Sequence, residues 1–548
     1  MRSSRALRLL PISARNPHAA SQTRRKLQQS IRNGYCTVCE PPAPVTERTA
    51  ESTTNTPKSL ADHRQLGIEQ ELFTTSIYSP GSPMFLPNGT RIFNRLTNFV
   101  RSKYDLFGFQ EVITPTIYKR SLWEKSGHWD HYADDMYAVT GRGAKGGTEN
   151  KQVGEDEEYG LKPMNCPGHC LIFASKQRSY RDLPIRYADF SPLHRNEIHG
   201  ALSGLTRVRR FHQDDGHIFC RPSQIEEEIS STLGFIKLAY KALKLGPYRL
   251  ALSTRPADHF IGTIEEWENA EAALIKSLDA SGQEWTLNKG DGAFYGPKID
   301  VILKDSDGKE HQTATVQLDF QLPKRFELEY QAPAAEFEQK GLTTEDPELL
   351  AVQGPVTPVL IHRAVLGSVE RIMALLIEHH NGHWPFWLNP RQVMIITVND
   401  SLPVVEFAHK CRNALTNTLD EDGTREDTLN MGAAFGLSVD IDSSARSIGK
   451  KIREAKQKRY SVIAVIGEKD ISEKSLVVDL TGIPGAEGGL PQNRLLAILA
   501  AEKKGILDHE AISQVSQVPA LNPGDLKNLR MPLSALKTVL NSIQTQYL

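Results

Sequence analysis

The sequence predicts an α+β domain followed by a separate α/β domain. From residue 61 to about residue 388, short strand-like runs and helical stretches follow one another without regular βαβ alternation. From Arg391 the order changes to strand, helix, strand, helix, strand. Residues 40–60 contain four prolines among Ser, Thr and Glu and no periodic apolar positions, which is typical of a linker. We therefore expect folding to begin near Ala61.

Length and composition describe an ordinary globular protein. The 548 residues allow three or four domains of about 150 residues each. Hydrophobic residues at 39% and charged residues at 24% exclude collagen-like, wholly disordered and disulfide-scaffold classes. No apolar run reaches the roughly 18 residues of a membrane-spanning helix, so we expect no membrane partner. Six scattered cysteines favour a reducing compartment or metal ligation over a disulfide framework.

The first 39 residues are strongly basic. They contain eight Arg and Lys residues and no Asp or Glu. An Arg-rich, Ser-containing, acid-free stretch is typical of a mitochondrial transit peptide. The alternative is a solvated basic tail, which could touch nucleic acid. We assign residues 1–60 to a transit peptide and linker, and we expect the mitochondrial matrix as the location.

Apolar spacing predicts the elements of the first domain. Helical spacing from Ile92 to Tyr104 predicts a long helix, which an extended segment follows up to Pro115. Two stretches without an apolar pattern, 141–160 and about 331–355, are expected to be surface insertions. Further predicted elements are strands at 208–211, 217–220 and 313–320 and a helix at 224–243.

The second domain shows a clearer alternation. Its predicted strands and helices are 393–398, 404–419, 437–441, 447–459 and 461–466, and the chain closes with a helix at 533–546. Residues 482–530 are poorly patterned and are expected to be an insertion. The segment 446–459 carries seven basic residues against one Glu, for which RNA contact and a solvated face are equally good interpretations.

Four polar clusters carry candidate chemistry. They read KPMNCPGH (162–169), HRNE (194–197), RVRRFHQDDGH (207–217) and IHRAVLGSVERI (361–372). Their arginines suggest a phosphate or carboxylate ligand, because guanidinium binds both in a bidentate manner. A GxxxxGK[ST] phosphate loop and a GxGxxG after a strand are both missing from the sequence. Spacing alone cannot join one Cys and two His into a metal site, so on spacing each is better explained as a core residue.

These motifs, taken in order, resemble the class II aminoacyl-tRNA synthetases, and within them the threonyl-tRNA synthetases of the mitochondrial kind. The resemblance runs from DHRQLGIEQELF (62–73) through the four clusters, DGAFYGPKID (291–300) and TVQLDFQLP (315–323), and covers roughly residues 61–480. It implies an antiparallel-sheet catalytic domain at 61–388. An anticodon-binding domain is implied at 389–548, with the insertion at about 482–530 inside it.

The resemblance also implies an activity. The chain would activate L-threonine with ATP and Mg²⁺ as threonyl-adenylate and transfer it to tRNA(Thr) for mitochondrial translation. In-line attack of the threonine carboxylate would depend on positioning and charge stabilisation, without a side-chain nucleophile. The segment before Pro115 matches motif 1, which implies a homodimer. Alternatives are a non-catalytic tRNA-binding relative and a synthetase for another amino acid, such as serine or proline.

The ATP site is implied residue by residue. Arg195 would contact the α-phosphate, Glu197 the adenine amino group, and Phe211 would stack on adenine. Arg371 would cover the other adenine face and reach the γ-phosphate, and Arg207 would bind the Mg²⁺-bound outer phosphates. The catalytic residues would be Arg195 and Arg371. Gln317 belongs to the ATP-binding set and also lines the amino-acid pocket.

The resemblance implies a zinc ion in each subunit, held by Cys166, His217 and His362. Three protein ligands leave coordination positions open, which in the family take the amino and hydroxyl groups of threonine. A site that demands a hydroxyl rejects valine far better than an apolar pocket does. Asp215 would accept from that hydroxyl. The other residues implied in the threonine pocket are Gln213, Tyr295, Lys298 and Gln312.

Contacts with tRNA are implied in the second domain, where they would involve Arg446, Lys450, Lys451 and Arg453. The sequence also departs from the family pattern. About 60 residues precede the match, so we expect that the chain cannot hydrolyse seryl-tRNA in cis. Ile198 and His199 stand where the family pattern has Pro-Ser, which alters the expected contacts with the tRNA acceptor end.

Overall fold

The structure, a computed structural model, describes residues 61–140, 158–416, 436–484 and 526–547. They lie in one compact unit that begins at Leu60. The predicted transit peptide and linker lie outside the described residues, as do most of the insertions predicted at 141–160 and 482–530. The division into domains at 388/389 stays a prediction.

Sixteen α-helices are found in these ranges. In chain order they are α1 (His63–Glu69), α2 (Pro87–Arg101), α3 (Tyr104–Phe107), α4 (Arg120–Ser126), α5 (His128–Tyr132), α6 (Cys166–Ala174), α7 (Ile225–Ala242), α8 (Ile264–Ser281), α9 (Gln321–Arg325), α10 (Ala335–Gln339), α11 (Pro347–Ala351), α12 (Val369–His379), α13 (Leu402–Leu415), α14 (Ile448–Gln457), α15 (Glu468–Glu473) and α16 (Leu533–Thr545). No helix of the described ranges is long and apolar enough to cross a membrane.

The strands of the same ranges are β1 (Phe73–Thr74), β2 (Met84–Phe85), β3 (Gln110–Glu111), β4 (Ile117–Lys119), β5 (Ala138–Val139), β6 (Tyr159–Leu161), β7 (Ile185–Asp189), β8 (Pro192–His194), β9 (Arg210–Cys220), β10 (Arg249–Ser253), β11 (Trp285–Asn288), β12 (Lys298–Lys304), β13 (Glu310–Asp319), β14 (Tyr330–Pro333), β15 (Gln353–Val356), β16 (Val359–Ser368), β17 (Val393–Thr397), β18 (Val439–Asp442), β19 (Val462–Ile466), β20 (Ser475–Asp479) and β21 (Leu529–Pro532). The predicted α+β class is confirmed.

A nine-stranded sheet forms the centre of the first half. Its order is β11-β10-β12-β13-β16-β9-β7-β3, and β8 pairs with β9. All pairs are antiparallel except β10 with β11 and β3 with β7 at the two ends. The central strands β12, β13, β16 and β9 therefore lie side by side, so residues distant in sequence come together on one face.

The run predicted as a strand at 217–220 and the last two residues of the run at 208–211 belong to one strand, β9, which begins at Arg210. The prediction divided it because the polar residues between the two runs broke the apolar pattern. These polar side chains have partners in the structure: His212 contacts Glu370, and Asp214 contacts Arg363. Since paired polar groups can be buried at low cost, β9 continues through them.

Helices cover the sheet much as the apolar spacing predicts. The helix predicted at 92–104 is α2, and the one predicted at 224–243 is α7. Ile92, Leu96 and Val100 on α2 are fully buried in the main apolar cluster. Each such side chain stabilises the fold by roughly 1.5–3 kcal/mol relative to an exposed position.

The segment predicted as a surface insertion at about 331–355 is more regular than expected. It contains α10 and α11, and β14 pairs antiparallel with β15. Glu338 of α10 accepts from Arg221 at 2.6 and 2.7 Å and from Tyr330 at 2.7 Å. These charge-assisted contacts tie the segment to the end of β9, which an apolar pattern could not indicate.

The C-terminal half has its own sheet, ordered β18-β17-β19-β20-β21. The first three strands are parallel and the last two pairings antiparallel, and α13 and α16 contribute to a separate apolar cluster. Arg95 of α2 joins this half to the first through Gln392 at 2.7 Å and Ser438 at 2.9 Å. Burial, with the nearby charge of Arg91, lowers the pKa of Arg95 to about 10.

Candidate active site

One cavity of about 460 Å³ opens on the central strands of the large sheet. Every residue that the sequence analysis assigned to ATP, threonine or metal lines it. These residues are Cys166, Arg195, Glu197, Arg207, Phe211, Gln213, Asp215, His217, Tyr295, Lys298, Gln312, Gln317, His362 and Arg371. The structure therefore brings together groups that the sequence separates by up to about 200 positions.

Three potential metal ligands meet at the base of this cavity. His217 on β9 and His362 on β16 are direct partners in the strand register, and Cys166 begins α6. The ligand atoms of all three lie within 4.8 Å of one another, and the three residues are buried. Burial raises the pKa of the Cys166 thiol. A bound cation would reverse this effect, since it stabilises the thiolate.

Both histidines are oriented by hydrogen bonds to the ring nitrogens that face away from the cluster. His362 Nε2 lies 2.8 Å from Asp319 Oδ2, and His217 Nδ1 lies 2.8 Å from His169 Nδ1. If these outer nitrogens carry the protons, the inner nitrogens, His217 Nε2 and His362 Nδ1, both present lone pairs at a separation of 3.0 Å. Two lone pairs and a thiol facing one another suit a cation, and a two-nitrogen, one-sulfur donor set suits zinc.

His169 and Asp319 were not singled out from the sequence, although His169 belongs to the KPMNCPGH cluster. Beyond His169, the carboxylate of Asp189 lies 3.8 Å from its Nε2 and also accepts from Thr114 and Ser191. These bonds lower the pKa of Asp189 although burial opposes them. Such residues are found from the strand register, which places Asp319 next to the metal cluster. The spacing of residues along the sequence does not determine that register.

The amino-acid side of the cavity is a network of polar groups around the metal cluster. Asn165 Nδ2 donates to Asp215 Oδ2 at 3.0 Å, and Asp215 Oδ1 lies 3.9 Å from His217 Nε2. Burial raises the pKa of Asp215. The Tyr295 ring stacks on His362 with centroids 4.9 Å apart, and its hydroxyl donates to Gln317. A small ligand with a hydroxyl and an amino group would find both acceptors and metal positions here.

Asp300 holds two further pocket residues. Its Oδ2 lies 3.1 Å from Lys298 Nζ, and its Oδ1 accepts from the Gln312 side chain. Lys298 also lies 3.2 Å from Asp291 Oδ2. Asp300 is itself 2% exposed, so these contacts fix Lys298 and Gln312 at the wall of the cavity rather than leaving them in solvent.

The other side of the cavity carries three arginines. Arg195 lies over the Phe211 ring at 5.0 Å, and its Nε is buried without a hydrogen-bond partner among the described residues. Arg207 pairs with Glu197 Oε2 at 2.7 Å, and Arg371 Nε donates to the Thr206 carbonyl at 3.0 Å. Burial and the charges of the other two arginines lower the pKa of Arg371. Such a concentration of cations favours a polyphosphate.

The four residues predicted to contact tRNA do not share one environment. Arg446, Lys450 and Arg453 are exposed around α14, and Arg446 pairs with Asp442 and Glu454. Lys451 is instead 1% exposed, and its Nζ donates to the carbonyls of Thr397 at 2.9 Å and Asp442 at 3.3 Å. The prediction that Lys451 contacts RNA is therefore wrong, because its ammonium group is buried and donates to backbone carbonyls.

Two family profiles match the chain. The tRNA synthetase class II core domain (G, H, P, S and T) matches residues 149–343, and the anticodon binding domain matches residues 392–480. Among solved structures, the RNA binding domain of threonyl-tRNA synthetase from Cryptosporidium parvum is 44% identical, with a TM-score of 0.65 over 76% of this chain and 92% of that one. A Giardia lamblia prolyl-tRNA synthetase, 15% identical with a TM-score of 0.56, shares the fold.

Curated relatives agree with these profiles. The probable mitochondrial threonine–tRNA ligase of Schizosaccharomyces pombe is 50% identical, covering 77% of this chain and 84% of the relative. The mitochondrial threonine–tRNA ligase of Saccharomyces cerevisiae is 46% identical, covering 78% and 87%. The chain spans about half the length of a cytoplasmic relative from Dictyostelium discoideum, to which it is 47% identical. By these matches the chain belongs to the threonyl-tRNA synthetase family of class II aminoacyl-tRNA synthetases.

Proposed function

We propose that this chain activates L-threonine with ATP and transfers the threonyl group to tRNA(Thr). The observation that carries the proposal is the cavity in which three arginines face a Cys, His, His cluster across a pocket of fixed polar groups. The ATP-side residues Arg195, Glu197, Phe211 and Arg371 are all present in it, which argues against a non-catalytic relative.

The chemistry needs positioning and charge stabilisation rather than a nucleophilic side chain. Phe211 would stack on adenine and Glu197 would accept from its amino group. Arg195 would stabilise negative charge on the α-phosphate while the threonine carboxylate attacks it and pyrophosphate leaves. Arg207 and Arg371 would bind the outer phosphates, which ATP brings with Mg²⁺. The ion pair of Arg207 with Glu197 would exchange its partners as ATP enters.

Cys166, His217 and His362 would hold a zinc ion, and this assignment is part of the proposal. When bound, zinc would act as a Lewis acid that binds the amino and hydroxyl groups of threonine. Asp215 would accept a hydrogen bond from that hydroxyl, and Asn165 already fixes the orientation of the Asp215 carboxylate. Valine lacks the hydroxyl and would leave Asp215 buried without this partner, which rejects valine strongly. Serine retains the hydroxyl and is rejected less well.

Exposed groups suggest where tRNA and a second subunit would bind. Arg446, Lys450 and Arg453 at α14 would contact tRNA through phosphates. A homodimer through the motif 1 region is supported by Ile113, which is 87% exposed next to the edge strand β3. The mitochondrial names of the two relatives of which the chain covers 84% and 87% support a mitochondrial location, and we place it in the matrix.

Threonine-dependent ATP–pyrophosphate exchange tests the proposal. The full chain would be assayed with threonine, serine and valine, before zinc removal, after it and after zinc is restored. We expect exchange with threonine, weaker exchange with serine, negligible exchange with valine, and loss without zinc. A folded, zinc-loaded protein that supports no exchange with any of the three would exclude the catalytic function. Threonine exchange that survives zinc removal would exclude the metal assignment alone.

A further inference from the structure

His63 joins two elements that are distant in the sequence. It is the first residue of α1 and is 5% exposed. Its Nε2 accepts from the backbone amide of Leu205 at 3.2 Å, and its Nδ1 lies 2.6 Å from Glu378 Oε1. Because a backbone amide donates, Nε2 must be the acceptor and Nδ1 must carry the proton given to Glu378. The ring therefore bridges the turn before β9 and helix α12.

Each end of this bridge lies on a segment that also carries an arginine of the cavity. Leu205 is fully buried, whereas the next two residues, Thr206 and Arg207, line the cavity. Glu378 lies on α12 about two helical turns after Arg371. Since Arg371 Nε also donates to the Thr206 carbonyl, the turn and the helix meet at two points. His63 thus joins the turn that carries Arg207 to the helix that carries Arg371.

The surroundings of His63 are shaped to admit the ring. Gly204 has a φ of +48°, and a Cβ added there would lie 2.1 Å from His63 Nε2. The absent side chain at Gly204 therefore makes room for the imidazole. On the other side, Ser306 Oγ donates to the Ala61 carbonyl at 2.6 Å and lies 3.4 Å from Glu378 Oε2. These contacts hold the start of α1 against α12.

We propose that His63 is a positioning residue of the nucleotide site, which it holds from outside the cavity. It is not among the lining residues, so it acts through the turn at Leu205 and through α12. The inference rests on the proposed function, in which Arg207 and Arg371 bind the outer phosphates of ATP. Loss of His63 should therefore weaken ATP binding and leave the threonine pocket unchanged.

The test compares three variants that remove different parts of the bridge. In His63→Gln the amide oxygen can take the place of Nε2 and accept from Leu205. In His63→Asn the amide reaches only the position of Nδ1, which leaves the Leu205 amide buried without a partner. His63→Ala removes both contacts. Gln65→Ala on the exposed face of the same helix is the matched control.

Mg-ATP affinity of the full chain would be measured by titration calorimetry, and the KM values for ATP and threonine by pyrophosphate exchange. We expect His63→Ala to weaken ATP binding about fivefold to tenfold. His63→Gln should recover most of that loss, and His63→Asn should stay close to the Ala variant. The KM for threonine, and all values for Gln65→Ala, should remain within about twofold of the parent.

Two readouts separate this inference from the proposed function. A parent chain that binds Mg-ATP but supports no exchange would remove the function, and the ATP affinities of the variants would still decide the role of His63. The positioning role is overturned if folded His63→Ala and His63→Asn bind ATP as the parent does, or if they lose only thermal stability. It is also overturned if ATP and threonine binding weaken equally, since that pattern indicates general loss of structure.

Discussion

Glu370 accepts both polar hydrogens that His212 presents to it, from the backbone amide and from the ring Nδ1, each at 2.9 Å. Glu370 is 1% exposed and lies beside Arg371, and His212 follows Phe211 in β9. The bidentate contact therefore fixes the distance between the aromatic ring and the guanidinium that would enclose adenine. It spans 158 positions of sequence, and no motif indicated it.

Glu370→Gln should weaken ATP binding with little change in threonine binding. An amide offers one acceptor where the carboxylate offers two, so either the backbone or the ring of His212 loses its partner. We expect a KM for ATP about threefold to tenfold higher and a loss of about 1–2 kcal/mol in the free energy of unfolding. Pyrophosphate exchange and denaturant titration measure the two effects.

Glu265→Gln, on an exposed position of α8, is the isosteric control for this change and should alter neither quantity. An unchanged KM for ATP in a stable Glu370→Gln protein would show that adenine is held without this clamp. The clamp would then serve only to join β9 to α12.

Zinc retention should depend on the acceptor at residue 169. For His217 Nε2 to bind a cation, its Nδ1 must donate to His169, which Leu cannot accept but the side-chain oxygen of Asn can. We expect His169→Leu to lower zinc affinity about tenfold to a hundredfold. His169→Asn should remain within about threefold of the parent. Chelator competition, with zinc counted per chain by mass spectrometry, measures both.

The Cys166→Ser variant gives the reference for loss of a direct ligand and should bind zinc more weakly than His169→Leu. If His169→Leu kept the zinc affinity of the parent while Cys166→Ser lost it, the contact between the two histidines would have no part in metal binding.

Asp215→Asn should reduce threonine activation without affecting ATP. Asn165 donates to one oxygen of Asp215, so an amide at 215 would turn its oxygen towards Asn165 and its NH₂ towards the cavity. That NH₂ group cannot accept a hydrogen bond from the threonine hydroxyl. We expect kcat/KM for threonine to fall at least about a hundredfold, or about 3 kcal/mol in transition-state free energy. The KM for ATP, measured in the same exchange assay, should stay within about twofold.

Valine activation by the Asp215→Asn variant tests whether Asp215 contacts the hydroxyl. If threonine and valine activation fell by the same factor, Asp215 would support the pocket without contacting the hydroxyl. Selection would then have to come from the metal.

The sequence alone predicted most long elements, because α2, α7, α13 and α14 each carry an apolar face. It could not assemble the metal cluster from spacing. His217 and His362 become neighbours because β9 and β16 pair in one particular register, which contacts along both strands decide together. The ligand set Cys166, His217 and His362 is implied only by the resemblance to the synthetase family. That resemblance does not include His169 and Asp319, which hydrogen-bond to the two histidine ligands.

The prediction that Lys451 contacts RNA is wrong for a different reason, because the helical periodicity of α14 already places this residue on the inner side. On α14, Lys451 lies one turn before the buried Ala455 and beside the half-buried Ile452, on the side facing the sheet. The basic charge of the segment does not distinguish this inner lysine from the exposed basic residues of the same helix. Lysine can bury its stem wherever its ammonium finds acceptors, and two backbone carbonyls provide them here.

Replacing the inner lysine of α14, or two of its outer basic residues, by neutral residues should therefore separate stability from tRNA binding. Lys451→Met leaves the carbonyls of Thr397 and Asp442 without their donor, so we expect a loss of about 1–3 kcal/mol in unfolding free energy.

The combined variant Lys450→Ala and Arg453→Ala should unfold like the parent but aminoacylate tRNA with a higher KM. The slope of log affinity for tRNA against log salt should be shallower by about 2, since two phosphate contacts are lost. Pyrophosphate exchange, which needs no tRNA, should be unchanged in the double variant. An unaltered salt slope would remove this helix from the tRNA interface and leave its outer basic residues as a solvated face.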